Sequence, residues 1–184
     1  MKLILASNSP RRKEILENLG YDFTIIPSNY EEKGRYKTAV ETAEKYAYYK
    51  ALDVYKRLND QESVVLGADT VVNYGDKILE KPRDREDAKR ILMELSGKTH
   101  KVITGYAVIG KGVSVNGSEI SYVRFRTLTE DEIREYIDKN EPFDKAGAYG
   151  IQDEGSPVES YSGSFDNVVG LPSEKIKEIL KEIV

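Results

Sequence analysis

In the opening stretch KLILASNSPRRKEILENLG, Ser9 reads as an N-cap and Pro10 as the first helical residue, which puts Arg11 and Arg12 in a helix's first turn. That turn carries partial positive charge from unpaired N–H groups and ordinarily attracts Asp or Glu. Two guanidinium groups become favourable there when an anion joins them. Backbone amides, the helix dipole, both arginines and the hydroxyls of Ser7 and Ser9 would then converge on phosphate oxygens. The alternative is a pair of solvated surface arginines, because an exposed clash with the dipole costs only about 0.3–1 kcal/mol.

Other residues break structural rules in ways that suit the same ligand. Asp69 interrupts the apolar run SVVLGADTVV, and a buried carboxylate needs a cation or a proton. Its alternative is a strand-end Asp that makes a turn. Gly67 and Ala68 beside it leave room for close approach. At about 100° per residue, Lys50 falls beside the helical stripe of Ala43, Ala47, Val54 and Leu58, so its ammonium must snorkel, pair or reach into a cleft. Lys81 follows a hairpin whose fold back could bring it near Asp69, although Glu80-Lys81-Pro82 also suits an exposed turn. Cations with a positive helix end suit a polyphosphate; Asp69, with Glu31 or Glu32, suits a divalent metal or the activation of water. There is no GxxxxGK[ST], and AGAYGIQ lacks the GxGxxG spacing. Its glycines could frame a base pocket, in which Gln152 offers a donor and an acceptor, or simply a turn.

The elements that must hold these groups alternate. A strand over 2–6 leads into the Pro10 helix, whose Ile15, Leu16 and Leu19 share a face and which Gly20 closes. A strand over 23–26 and a polar loop over 27–34 precede a helix over 39–58. The apolar strand over 63–72 pairs through Tyr74-Gly75-Asp76 with 77–79, and Asp84 caps a helix that ends near Leu95. Strands over 101–109 and 113–126 follow, with Asn116-Gly117 as a turn signal. Thr129-Glu130-Asp131-Glu132 is a capping box for a helix over 130–138, and Ile176, Ile179, Leu180 and Ile183 give a final helix from Ser173 its apolar face. The pattern predicts an α/β fold with a mixed sheet.

The chain has 184 residues, enough for one sizeable core, with 28 Lys and Arg against 32 Asp and Glu, so any anion site must be local and no global field recruits nucleic acid or an acidic membrane. With no cysteine and one histidine, His100, thiolate catalysis, disulfides and Cys- or His-rich zinc sites are excluded. No run is long enough to span a membrane, and Met1-Lys2-Leu3 passes directly into the first strand without a signal peptide, so a cytoplasmic location is expected.

The chain resembles the Maf family of nucleoside triphosphate pyrophosphatases over nearly its whole length. LASNSPRRKEIL, GADTVV, EKP, LSGKTHKVITG, AGAYGIQ and GSFDNVVGLP follow in that family's order. The resemblance implies hydrolysis of a nucleoside triphosphate to monophosphate and pyrophosphate with Mg or Mn, in a nucleotide house-cleaning role. It implies an elongated Maf/ITPase-like α/β fold, with a central mixed β-sheet flanked by helices. Residues 1–184 would be a single domain with two lobes around a cleft, frequently a homodimer, with no membrane or sequence-specific nucleic-acid partner.

By the same resemblance Asp69 is the proton acceptor and shares a metal with Glu32. Ser7, Arg11, Arg12, Lys50 and Lys81 bind substrate, while Arg11, Thr70 and Gln152 set specificity. Gln152 matches the dTTP/UTP branch, whereas the 7-methyl-GTP branch usually has an acidic residue there. The loop reads Asn29-Tyr30-Glu31-Glu32 where an Asp-Glu pair is common in the family, and Asn8 stands where a small residue is frequent. Alternative readings are a pyrophosphatase for 7-methyl-GTP or another modified nucleotide, and a nucleotide-binding regulator of septum formation, an association also carried by the family.

Overall fold

A computed structural model describes all 184 residues, Met1–Val184. The alternating pattern folds as β1 (Lys2–Leu5), α1 (Pro10–Asn18), β2 (Phe23–Ile25), α2 (Ala39–Leu58), β3 (Ser63–Tyr74), β4 (Lys77–Leu79) and α3 (Arg85–Leu95). Two long strands follow, β5 (Thr99–Gly110) and β6 (Val113–Phe125), then α4 (Glu130–Asn140), β7 (Val158–Ser162), α5 (Phe165–Val169) and α6 (Ser173–Lys181). The sheet is mixed, as the alternation predicts. β1 lies parallel to both β2 and β3, β4 returns antiparallel on β3, β7 pairs antiparallel with β6, and the strand order is β2-β1-β3-β5-β6-β7.

The chain forms two compact units, with the divisions inside β3, β5 and β6 and directly after α5. The first comprises Met1–Thr70, Thr104–Glu119 and Gly170–Val184. Its core sets Ile4, Val65, Ala107 and Ile109 of the strands, with Ala6 just beyond β1, against Ala47, Ala51 and Val54 of α2. The helix approaches unusually closely because the strands present glycine beneath it. A Cβ on Gly67 would stand 2.4 Å from the Ala47 carbonyl oxygen, and one on Gly105 would stand 2.2 Å from that of Ala43. The space beside Asp69 is thus filled by a helix backbone. The second unit, Val71–Ile103 and Ile120–Val169, buries Leu92 and Leu95 of α3, Ile133 and Ile137 of α4, and Val123 and Phe125 of β6 in its own core.

Local chemistry sets most element ends where expected. Asp84 and Thr129 cap α3 and α4 from their side chains, and Thr129 and Glu132 complete the reciprocal capping box. Asn116-Gly117, read as a turn signal, instead lies within β6. The reversal occurs at Lys111-Gly112, where Gly112 supplies a φ of +72°. Gly117 is small for another reason, because a Cβ there would meet the Tyr106 hydroxyl at 2.7 Å. β7 and α5 were not expected: GSPVESYSGS is turn-rich, and of β7 only Val158 is even half-buried, so no apolar alternation marks it.

Candidate active site

β1 delivers the chain to α1, and no acidic residue offsets that helix's first turn. Ser9 accepts from the Arg12 amide as N-cap. The Arg12 side chain turns back from the helix instead of into solvent. Its Nε donates to the Gly170 carbonyl at 2.8 Å, Nη1 to Ser7 Oγ at 3.3 Å and Nη2 to Thr70 Oγ1 at 3.1 Å. Thr70 Oγ1 in turn shares a 3.0 Å hydrogen bond with Thr104 Oγ1, whose side chain is fully buried. Burial lowers the Arg12 pKa from the ordinary arginine value; neighbouring Asp69 opposes that shift and Arg11 adds to it. Arg12 is therefore a fixed, partly desolvated cation, and half-buried Arg11 places a second positive charge beside it.

The close seat of α2 on β3 brings Lys50 to Asp69. Lys50 Nζ donates to Asp69 Oδ1 at 2.7 Å and lies 2.5 Å from Glu32 Oε1, so one ammonium joins two carboxylates. The Lys50 and Asp69 side chains are 16% and 10% exposed, whereas Glu32 is 46% exposed. Lys50 therefore pairs inward, the second of the three options its helical position allows. Burial raises the Asp69 pKa above the ordinary carboxylate value, Glu32 adds to the rise, and Lys50 and Arg12 pull against it. Such a carboxylate has a higher proton affinity than a solvated one while its cationic neighbours still favour ionisation. Glu31 points elsewhere and pairs with Lys33 at 2.7 Å on the surface.

No group of three or more His, Asp or Glu side chains is placed to hold a metal ion. A complete protein cage is therefore absent. Two adjacent carboxylates nonetheless fit the way Mg is commonly held, through one or two carboxylates with phosphate oxygens and water filling the other positions. Asp69 and Glu32, which flank the Lys50 ammonium, are the two carboxylates that could serve in this way.

Ser7, Arg11, Arg12, Glu32, Lys50, Asp69 and Thr70 all belong to the first unit. Lys81 and Gln152 belong to the second: Lys81 is exposed just beyond β4, and Gln152 is exposed on a turn after α4. That turn is braced from below. Asp153 Oδ2 accepts from Tyr136 Oη at 2.5 Å and from the Gly150 amide at 3.1 Å, and a Cβ on Gly150 would stand 2.8 Å from the Asp153 carboxylate. Sequence reasoning missed Thr104 and Gly170 around Arg12 and Asp153 beneath Gln152. Only the buried hydroxyl among the apolar residues of KVITGYAVIG was a local signal for Thr104.

The mixed sheet with flanking helices is an architecture that two solved structures share. The nucleoside-triphosphatase/dITP/XTP pyrophosphatase of Mycobacterium abscessus superposes over 100% of this chain and 98% of its own, with a TM-score of 0.51 and 15% identity. The Ham1 protein of Staphylococcus aureus does so over 68% of this chain and 72% of its own, with a TM-score of 0.50 and 15% identity. At that identity the likeness is one of fold.

The family model for Maf-like protein matches residues 2–183, and the chain belongs to the Maf family. Its curated relatives include proteins named dTTP/UTP pyrophosphatase from Thermosipho africanus, 48% identical over 98% of this chain and 92% of the relative, and from Aquifex aeolicus, 45% identical over 100% and 96%. The protein of the same name from Acetivibrio thermocellus is 45% identical over 99% of this chain and 95% of its own length.

Proposed function

We propose that this protein is a nucleoside triphosphate pyrophosphatase that hydrolyses dTTP and UTP to the monophosphate and pyrophosphate, a house-cleaning activity on the nucleotide pool. The observation that carries the reading is the buried Asp69 carboxylate, bonded to Lys50 at 2.7 Å and neighbour to the fixed Arg12, in a chain that aligns end to end with dTTP/UTP pyrophosphatases.

Arg11, Arg12 and the Ser7 hydroxyl receive the triphosphate at the positive end of α1, with Lys50 as a further cation in the same unit. Lys50 engages Asp69 Oδ1, and Asp69 Oδ2 takes a proton from water. The water oxygen bonds to the α-phosphorus as the bridging oxygen leaves with pyrophosphate. Catalysis on this account is mainly positioning and electrostatics. Asp69 and Glu32 would hold Mg or Mn, which when bound offsets charge on the phosphate oxygens. Thr70 and Arg11 bear on the choice of nucleotide, and Gln152, in the second unit, carries both a donor and an acceptor of the kind a base edge pairs with.

Purified protein with Mg is expected to release pyrophosphate from dTTP and UTP faster than from a panel of other nucleoside triphosphates. Asp69→Asn keeps the side chain's shape but not its basicity, and should lose about 10²- to 10⁴-fold in rate while remaining folded. Orthophosphate as the product, or an unimpaired Asn variant, would overturn the reading.

A further inference from the structure

Glu32 is the one acid beside Lys50 that burial does not fix. It sits in a segment, residues 26–38, without helix or strand, among Glu31, Lys33, Gly34 and Arg35, all exposed. Such a segment would ordinarily spread over many conformations. Here it is tied to α2 along its length. Arg57 Nη2 donates to the Pro27 carbonyl at 2.6 Å, and Asp53 Oδ2 accepts from the Asn29 amide at 2.8 Å and from Ser28 Oγ at 3.1 Å. The Tyr30 ring stacks on Tyr49 at 5.2 Å and leans on Tyr46 at 6.1 Å. Beyond Glu32, Tyr46 Oη donates to the Gly34 carbonyl, the Tyr36 ring meets Tyr46 edge-on at 5.9 Å, and the Tyr36 amide donates to Thr42 Oγ1 at 3.2 Å.

The helix residues involved, Thr42, Tyr46, Tyr49, Asp53 and Arg57, recur every three or four positions and so share one face. The segment runs antiparallel to α2 on that face, with anchors on both sides of Glu32, and Lys50 belongs to the same helix one turn beyond Tyr46. Partial burial pushes the Asp53 carboxyl up, but the Asn29 amide, Ser28 and Arg57 more than offset it and hold the pKa below the ordinary value. Asp53 is thus a charged acceptor at ordinary pH.

We infer that this face of α2 is a positioning device for Glu32: the Asp53–Arg57 pair and the Tyr46–Thr42 pair strap the preceding segment so that the Glu32 carboxylate is presented beside Lys50 and Asp69. Asp53 and Tyr46 are positioning residues that act through Glu32. The metal arm of the test rests on the proposed function; the strap itself does not.

The test compares wild type, Asp53→Ala, Asp53→Asn and Glu32→Gln, with the Asp53→Ala/Glu32→Gln double variant. Amide hydrogen exchange reads the strap directly: Asp53→Ala should speed exchange across residues 28–36 about tenfold or more, and Asp53→Asn, which keeps a neutral acceptor for Asn29 and Ser28, should restore much of the protection. Mn binding in the presence of pyrophosphate, read by electron paramagnetic resonance, should weaken about tenfold in Asp53→Ala, as losses of ligand-orienting groups typically do. In the Glu32→Gln background the same change should do nothing further. Unchanged exchange in Asp53→Ala would overturn the strap. Equal losses of Mn affinity with and without Glu32 would overturn its action through Glu32. A wild type that binds no Mn would count against the metal assignment in the proposed function, and the exchange result would still decide the strap.

Discussion

Asp69 and His100 are both buried ionisable residues, and burial favours the neutral form of each. For Asp69 this raises the pKa in a setting where cations oppose the rise. His100 has no such partner. Its Nε2 and Tyr149 Oη lie 2.7 Å apart, its ring meets Phe125 and Tyr149 edge-on, and burial lowers its pKa from 6.5 to about 4. Between those two values the unfolded chain binds the more protons, so the buried imidazole costs nothing above pH 6.5 and removes stability as the pH falls towards 4. Complete protonation in the unfolded state is worth on the order of 3 kcal/mol. His100→Gln keeps hydrogen-bonding capacity but does not titrate. Its urea midpoint should therefore fall less between pH 7 and pH 4.5 than that of the wild type, whatever its absolute stability, and parallel slopes would exclude His100 as the titrating group. His100 thus packs neutral inside the second unit's core, whereas Asp69, paired with Lys50 in the first, is the residue to which the proposed function gives chemistry.

At the scale of elements, α2 does most of the positioning. Its Ala43-Ala47-Ala51 row sits on Gly67 and Gly105, its Lys50 meets Asp69, and its Asp53 and Tyr46 strap the Glu32 segment. The helix limits and the position of Lys50 beside the apolar stripe were legible from periodicity, because that stripe is regular, whereas its inward pairing with Asp69 and Glu32 was one of three options and needed the structure. The meaning of Gly67 was not legible, since a glycine that admits a helix backbone and one that admits a ligand look alike in sequence. Gly67→Ala tests the seat. The new methyl would lie 2.4 Å from the Ala47 oxygen and 2.8 Å from the Ala51 nitrogen, so α2 must move. The expected cost is about 1–3 kcal/mol in chemical denaturation. Displacement of Lys50 by even about 1 Å should also reduce kcat about 10²-fold. Wild-type stability and turnover together would mean that the helix does not depend on this contact.

At the scale of the molecule, the order of strands and helices apart from β7 and α5, the mixed sheet and the residues that break local rules were legible, because each leaves a local mark: a period, a cap, or a charge in the wrong place. The partners that make those residues a site were not. Arg12 reaches Gly170, 158 positions away in sequence, and Thr70 meets Thr104, 34 positions away, and no local pattern encodes such pairings. The family resemblance supplied roles that the residues alone left open. Hydrolysis of dTTP in water enriched with oxygen-18 tests the central claim most directly, because it reports which phosphorus the activated water attacks. The account predicts one heavy oxygen in dTMP and none in pyrophosphate; label in pyrophosphate, or release of orthophosphate from an intact triphosphate, would contradict it.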